Sequence, residues 1–291
     1  MVSKSSLLFL VLLLSALTLD AKSLLYKVTS ASSTVYILGS IHLARAEIYP
    51  LKNVIEEAYD KSDVLVVELD AESQSSARYL QSAMERLGTY PKGKTLRSEL
   101  SESTYTALKS YTDKAGLPLK AMEKMRPWTV MLQLSMAEML RLGYSPELGI
   151  DKYFLDRAKQ ERKCISALET IQEQMELLSR DDRAYQEKLL QYTLSSISEM
   201  EPMLDKLSSS WKNGDAKAME KMFLLSIRDD KSLKDIYDDL ITKRNYRMTQ
   251  KIESYLKTER DYFVIVGAGH VIGKDGIVDL LKKRGYKVIQ Q

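Results

Sequence analysis

The residues of this 291-residue sequence best suited to chemistry are its two histidines, which stand in matching contexts. Each closes a Gly-x-x-His motif, Gly39-Ser40-Ile41-His42 or Gly267-Ala268-Gly269-His270, and each motif follows an apolar, β-branched run typical of a strand. Glycine lets the backbone turn sharply and leaves room for an ion or substrate beside it. The pattern predicts two strand ends that present imidazoles to a metal or catalytic site. Two structural histidines in loops are the alternative.

A metal bound by these histidines would need oxygen atoms as its other ligands. The single cysteine, Cys164, lies in an apolar run that we interpret as a strand, and we expect it to be a buried structural cysteine. Carboxylates and water must then complete the site. Such a nitrogen and oxygen set suits zinc, manganese, cobalt or iron and argues against a cysteine-rich structural zinc. The spacing matches no short zinc motif such as His-Glu-x-x-His.

Two glutamates also follow predicted strands. Glu68 comes directly after the apolar run Val64-Leu65-Val66-Val67, and it could bind a metal, act as a base or face solvent. Burial of its carboxylate without a partner would be costly. The neighbouring Asp70 is expected to cap the next helix. Glu169 follows the Cys164 strand, and its alternative is an ordinary acid near a helix N-terminus.

Arg244 and Asn245 lie inside a long amphipathic helix predicted for Leu233 to Leu256. They could lie on a solvated helix face, with Met248 in the core. They could instead point a guanidinium and an amide at a substrate carbonyl or at a metal-bound carboxylate. Periodicity alone does not distinguish the two interpretations.

Other classes of function lack their motifs. The glycines from Gly267 to Gly273 resemble a dinucleotide-binding loop, but one residue too many precedes the third glycine, and no acidic residue ends a second strand about 20 positions later. The Gly-x-Ser-x-Gly elbow of serine hydrolases does not occur. Acidic and basic residues are interleaved and the formal net charge is +3, so nothing indicates a nucleic-acid partner.

The elements that must position these residues predict an α/β fold. We expect strands near both ends of the chain and one at Cys164, with helices over most of the sequence between Glu72 and Leu256. The economical arrangement is a central mixed sheet built from N- and C-terminal strands, with a large helical insertion or cap. Ligands of open sheets lie beyond the carboxyl ends of the strands. The two histidines, Glu68 and Glu169 all follow predicted strands.

Residues 1–21 have the pattern of a signal peptide or N-terminal anchor, with Lys4 before the apolar run Leu7 to Leu19 and a small residue at Ala21. The run is shorter than the roughly 20 residues that span a bilayer. We expect an exported protein, periplasmic or secreted, with no membrane span beyond this segment. Residues 22–291 are predicted to form a single α/β domain whose helical subdomain covers roughly 72–146 and 180–257.

The sequence resembles the TraB/GumN family, which includes the Tiki metalloproteases. The resemblance extends from about Tyr26 to Val288. Its main motifs are Tyr36-Ile37-Leu38-Gly39-Ser40-Ile41-His42, Val66-Val67-Glu68-Leu69-Asp70 and Val266-Gly267-Ala268-Gly269-His270-Val271-Ile272-Gly273. Further matches are Gly149-Ile150-Asp151, Leu168-Glu169-Thr170 with Gln174, and Arg244-Asn245 with Met248.

This resemblance implies a metal-dependent, hydrolase-like α/β fold similar to erythromycin esterase and to the haem-binding ChaN protein. In Tiki proteins the two motif histidines and the strand-end glutamate are thought to form a metal site for peptide cleavage, which places His42, His270 and Glu68 in that role. Arg244 and Asn245 match the helix pair of the family. The supporting positions would be Gly39, Gly267, Asp151 and Glu169.

The sequence therefore predicts an exported metal-dependent hydrolase, peptidase-like, that uses manganese, cobalt or zinc and acts on a peptide or protein. Glu68 would be a metal ligand or the base that takes a proton from water. Arg244 or Asn245 would stabilise the developing oxyanion. The alternative is a module of the same fold that binds a metal, haem or a partner without catalysis.

Overall fold

The protein is described by a computed structural model over residues 22–70, 73–224 and 233–291, so the predicted signal segment 1–21 lies outside the described residues. Six strands form one mixed sheet. They are β1 (Leu25–Thr29), β2 (Thr34–Ser40), β3 (Val64–Val67), β4 (Cys164–Ala167), β5 (Tyr262–Gly267) and β6 (Val288–Gln290).

The order of the strands in the sheet is β4-β3-β5-β2-β1-β6. The strands β4, β3, β5 and β2 run parallel to one another, whereas β1 is antiparallel to both β2 and β6. Ser40 at the end of β2 pairs with Gly267 at the end of β5. Both Gly-x-x-His motifs therefore leave the sheet from adjacent strands at the same edge.

The central strands owe their place to continuous apolar sequence. Every residue of β3 and of β5 is buried, as expected for parallel strands covered on both faces. The main core packs them against helices that include α1 (Asn53–Asp60), α7 (Ile150–Glu161) and α13 (Lys243–Tyr255). Phe154 and Phe263 are fully buried where α7 crosses the sheet, with ring centroids 4.9 Å apart.

Most of the other helices form a cap with two apolar clusters of its own, one with Leu108 and Leu134 and one with Trp128 and Leu189. The α/β class with a helical cap is thus confirmed, and the division of the chain into the predicted subdomain stays a prediction. The other helices are α2 (Gln74–Leu87), α3 (Leu96–Glu99), α4 (Glu102–Ala115), α5 (Leu119–Met122), α6 (Pro127–Arg141), α8 (Ile171–Leu178), α9 (Arg183–Ser196), α10 (Met200–Lys212), α11 (Ala216–Met219), α12 (Lys234–Tyr237), α14 (Ala268–Val271) and α15 (Ile277–Lys283). Short 3₁₀ turns are Ala46–Ile48, Pro146–Leu148 and Ile197–Glu199, and π segments are Glu220–Leu224 and Asp238–Thr242.

One expectation about the fold was wrong. Cys164 is exposed rather than buried, because β4 is an edge strand of the sheet and pairs with β3 on one side. The helix predicted for Leu233 to Leu256 is present, and it contains a π segment, Asp238–Thr242, between α12 and α13. Within the described residues, the helices include none with the length and apolar character needed to cross a bilayer.

Candidate functional site

The carboxyl ends of the four parallel strands bring the predicted site residues to one edge of the sheet. Glu169 follows β4, Glu68 follows β3, and His270 lies in α14 directly after β5. His42 follows β2 on the other side of β5. The fold therefore brings together motifs that are far apart in the sequence, because each one follows a neighbouring strand of the sheet.

His270 is buried and held by Asn245. The Asn245 amide nitrogen donates to the carbonyl oxygen of Asp275 at 2.7 Å, which leaves the amide oxygen to accept from His270 Nδ1 at 2.6 Å. This network assigns the proton to Nδ1 and the free lone pair to Nε2, which faces Glu68 Oε2 at 3.8 Å. Burial lowers the pKa of His270 to about 4, so the ring is neutral at neutral pH.

His42 is oriented by a carboxylate instead of an amide. Its Nδ1 donates to Asp151 Oδ2 at 2.9 Å, and the Ser40 hydroxyl donates to the same carboxylate at 2.9 Å. Asp151 lies in the first turn of α7, and Gly149 just before it has no room for a Cβ beside the His42 carbonyl oxygen. The charge of Asp151 raises the pKa of His42. The His42 side chain is 55% exposed, so water screens the pair.

Glu68 presents its two carboxylate oxygens to different partners. Oε1 accepts from the Arg244 guanidinium and from Gln174 Nε2 at 3.2 Å, whereas Oε2 accepts from the backbone N–H of Gly267 at 2.9 Å. Burial by itself would raise the pKa of Glu68. The positive charge of His270, when that ring is protonated, and the charge of Arg244 outweigh burial and lower the pKa to about 2.

Arg244 joins the two strand-end glutamates. Besides its contact with Glu68, its Nε and Nη2 donate to Glu169 at 2.6 to 3.0 Å, and its Nη1 donates to the Leu240 carbonyl at 3.0 Å. All three residues of this group are buried. Arg247 adds a second, half-exposed guanidinium 3.7 Å from Glu169 Oε1, so both buried carboxylates have cationic partners.

Arg244 and Asn245 both lie in the candidate site and not on a solvated helix face, and Met248 lies in the core. Of the functional alternatives, the position of Arg244 matches the one in which the guanidinium binds a carboxylate. Glu169 is a partner of that guanidinium rather than a free acid at a helix start. Asp70 accepts from the Ser73 backbone N–H at 3.2 Å, while Ser73 itself caps α2.

Gly267 lies beside all three predicted metal ligands. A Cβ at this glycine would lie 3.0 Å from His42 Nε2, 3.5 Å from Glu68 Oε2 and 3.7 Å from His270 Cδ2. Gly39 has a different reason to be glycine, because a Cβ there would lie 2.6 Å from Val271 Cγ2 in α14. The cradle at Gly267 is therefore lined by two imidazoles and one carboxylate oxygen.

The donor set at Gly267 fits a divalent cation in its chemistry, since both imidazoles have Nδ1 bound elsewhere and Nε2 free, as in metal-ligating histidines. The side chains as they stand are not drawn together around a common point at ligand distance. Across residues 22–70, 73–224 and 233–291, no group of three or more His, Cys, Asp or Glu side chains has the geometry to hold an ion.

Ser40 and Gln174 were not given a role by the sequence. Ser40 lies inside the first Gly-x-x-His motif and binds the carboxylate that orients His42. Gln174 lies one helical turn into α8 and binds both glutamates. A polar residue within a strand-end motif was the available signal for Ser40. Gln174 was among the positions that match the family, but its contacts with the two glutamates depend on the pairing of β3 with β4.

Comparison with known proteins agrees with the motifs. The chain is 25% identical over 248 residues to the uncharacterized protein YbaP of Escherichia coli (strain K12), which covers 85% of this chain and 87% of YbaP. It is 24% identical over 310 residues to a metalloprotease TIKI homolog of Nematostella vectensis, with 87% of this chain and 64% of that protein covered. It is 25% identical over 301 residues to metalloprotease TIKI2 of Xenopus tropicalis, with 87% of this chain and 57% of that protein covered.

The chain thus spans less than two thirds of the length of these two metalloproteases. No solved structure matches it. A family model described as the TraB/PrgY/gumN family matches residues 24–290, which is almost the whole of the described chain. The strand-end histidines and Glu68 thus lie within a match that runs the length of the fold, and the protein belongs to the TraB/PrgY/gumN family.

Proposed function

We propose that this protein is a metal-dependent hydrolase that acts on peptide bonds. The observation that carries the proposal is that both histidines have Nδ1 held by an oxygen acceptor. Their two Nε2 atoms and one oxygen of Glu68 therefore remain for a ligand near the Gly267 cradle, and a bound ion would displace the proton that Asp151 favours on His42. The metalloprotease names of the Tiki relatives support the reaction class.

In this proposal His42, His270 and Glu68 would hold the ion, and manganese, cobalt and zinc all suit two imidazoles and a carboxylate. A divalent ion in such a site polarises a carbonyl and lowers the pKa of bound water. Glu68 Oε2 is the alternative proton acceptor, because it has only one hydrogen-bond donor in the site.

The residues around the ligands would hold them in place. Asn245 keeps the neutral His270 ring in one tautomer, and Asp151 does the same for His42 while strengthening it as a ligand. The Arg244 donors are engaged by Glu68, Glu169 and the Leu240 carbonyl. We therefore assign Arg244 to holding the carboxylates and not to binding an oxyanion.

Metal analysis of the purified protein tests the site directly. We expect the wild-type chain to retain about one divalent ion per molecule, and His42→Ala and His270→Ala to lose it, because each removes one of two imidazoles. Cys164→Ser is the matched control, since it removes the only thiol, which is exposed and outside the site. Equal metal content in all four proteins would sink the proposal.

Digestion of a peptide library separates an enzyme from a binding module. We expect cleavage with added manganese, cobalt or zinc, and loss of cleavage on adding a chelator. A visible absorption spectrum of the purified protein would identify haem. A haem band without peptide cleavage would favour the non-catalytic alternative.

Export is a further part of the proposal, and it rests on the signal-like pattern of residues 1–21. Expression in a bacterium, with and without those residues, tests it by cell fractionation. We expect the full chain outside the cytoplasm and the shortened chain within it. The same distribution for both would contradict export by this segment.

A further inference from the structure

We infer that Gln174 is a positioning residue that, together with Arg244, occupies one oxygen of Glu68 and so leaves the other oxygen, Oε2, to face the site. The inference rests on the proposed function, because it concerns how the proposed ligand or base is presented. Gln174 would touch neither the ion nor the substrate.

The geometry of the Gln174 amide is that of a bridge. Its nitrogen donates to Glu68 Oε1 at 3.2 Å and to Glu169 Oε2 at 3.1 Å, so its two hydrogens serve two carboxylates. The helix that carries it is fixed at the same place, because Thr170 and Glu173 form a capping box immediately after Glu169. Gln174 therefore has little freedom to turn away.

The bridge by Gln174 reduces the repulsion between two carboxylates of the same charge. Glu68 and Glu169 follow neighbouring strands, and the Glu169 backbone N–H donates to the Glu68 carbonyl at 2.9 Å. Two buried carboxylates this close repel each other unless donors lie between them. Arg244 supplies positive charge to both glutamates and Arg247 lies 3.7 Å from Glu169, whereas Gln174 supplies further hydrogen bonds without any charge. A neutral amide thus adds donors between the carboxylates without adding another positive charge that would repel a cation.

The consequence is an asymmetric carboxylate. Oε1 of Glu68 has two donors, Arg244 and Gln174, which use its lone pairs. Oε2 has the Gly267 N–H alone and lies 3.8 Å from His270 Nε2. Rotating the carboxylate would break the bonds to Arg244 and Gln174 together, so the oxygen that faces the imidazoles is determined by the pair.

Gln174→Met tests this role, because methionine has a similar length and no donor. We expect cobalt affinity, measured by calorimetry, to fall about 10- to 100-fold, as for other residues that orient metal ligands. For a peptide that the wild type cleaves, kcat should fall while KM stays nearly constant. The visible spectrum of the cobalt-loaded protein should change, which a purely structural role would not cause.

Gln172→Met is the matched control, since Gln172 lies on the same helix, is exposed and bonds only to Glu176 at 2.7 Å. It should bind cobalt and cleave peptide like the wild type. Gln174→Asn serves if the methionine variant does not fold, because it keeps an amide but is one methylene too short to bridge both carboxylates. The same losses are expected for it.

The outcomes separate the inference from the proposed function. A wild-type chain that binds no cobalt and cleaves no peptide would overturn the proposed function, and the inference with it. A wild type that does both, with a folded Gln174 variant that matches it in affinity, kcat and cobalt spectrum, would overturn the inference alone.

Discussion

His42 and His270 end the same four-residue motif, yet the fold gives them opposite surroundings. His270 is 5% exposed at its side chain, bonded to a neutral amide and kept uncharged by burial. His42 is 55% exposed and bonded to a carboxylate that favours its charged form. One sequence pattern thus produces a buried, dry half of the candidate site at one strand end and a water-exposed, open half at the other.

Filling the space between the two halves should have the largest effect. In Gly267→Ala the new Cβ would lie 3.0 Å from His42 Nε2, although φ −50° and ψ 138° at this position suit alanine. We expect near-complete loss of bound metal and of peptide cleavage, with circular dichroism and thermal unfolding close to those of the wild type.

Gly39→Ala is the contrasting variant, because its Cβ would meet Val271 Cγ2 at 2.6 Å and not the site. It should lower the thermal stability, and the folded fraction should still bind metal. If Gly267→Ala binds metal like the wild type, the two imidazoles do not share the space that we assign to them.

Removing the amide from the dry half is expected to have the next largest effect. Asn245→Leu leaves the buried His270 Nδ1 without its acceptor, at about 1–3 kcal/mol, and also removes the bond to the half-buried Asp275 carbonyl. Metal affinity should fall about 10- to 100-fold because the ring is no longer oriented. Urea unfolding and cobalt calorimetry measure the two effects.

Thr249→Val is the control on the same helix, since the Thr249 hydroxyl is buried and bonds only to the Asn245 backbone carbonyl at 2.6 Å. It should cost about 1 kcal/mol and leave metal affinity unchanged. A loss of affinity equal to that of Asn245→Leu would mean that the whole helix, and not the amide, sets the site.

Acid should destabilise the metal-free protein because the buried His270 resists protonation in the folded chain. The pKa of His270 is lowered from 6.5 to about 4, so below pH 6.5 the unfolded chain takes up a proton that the folded chain refuses. The free energy of unfolding should fall by about 1–2 kcal/mol more between pH 6.5 and pH 5 in the wild type than in His270→Gln. Urea unfolding in the presence of a chelator measures this difference.

His42→Gln should not reduce the sensitivity to acid as His270→Gln does, because the pKa of His42 is raised and not lowered. Its contribution to stability is present below pH 6.5 and is lost as the pH rises. Acid sensitivity reduced in His42→Gln, and retained in His270→Gln, would reverse our assignment of the two rings.

The smallest effect is expected in the open half. Asp151→Asn keeps an acceptor for His42 Nδ1 and removes only the charge, so cobalt affinity should fall about 10-fold, at the lower end for such partners. Thermal stability should be nearly unchanged because the pair is open to water. An effect larger than that of Asn245→Leu would show that the open half dominates binding.

The sequence predicted the strand ends well, because apolar β-branched runs followed by glycine or an acid are local signals. It therefore placed His42, Glu68, Glu169 and His270 correctly at strand exits. The order of the strands is set by contacts distant in the chain. The pairing of Glu68 with Glu169, and the bridge by Gln174, could not be predicted for that reason.

The error at Cys164 and the unpredicted π segment have the same origin. An apolar run around Cys164 has the same sequence whether the strand is central or at an edge, and only the pairing of β4 with one neighbour exposes the thiol. The apolar spacing of Leu233 to Leu256 predicts a regular helix. It contains no local signal for the π segment Asp238–Thr242.

That π segment has a consequence for how such a site can persist. A π turn is closed by an i→i+5 hydrogen bond and holds about one residue more than an α turn, so it takes up an extra residue without turning the helix that follows. Ile236 and Tyr237 before the segment and Arg244 and Asn245 after it are accordingly all buried. A one-residue insertion in this helix can thus be absorbed locally, and the polar wall of the site stays in place.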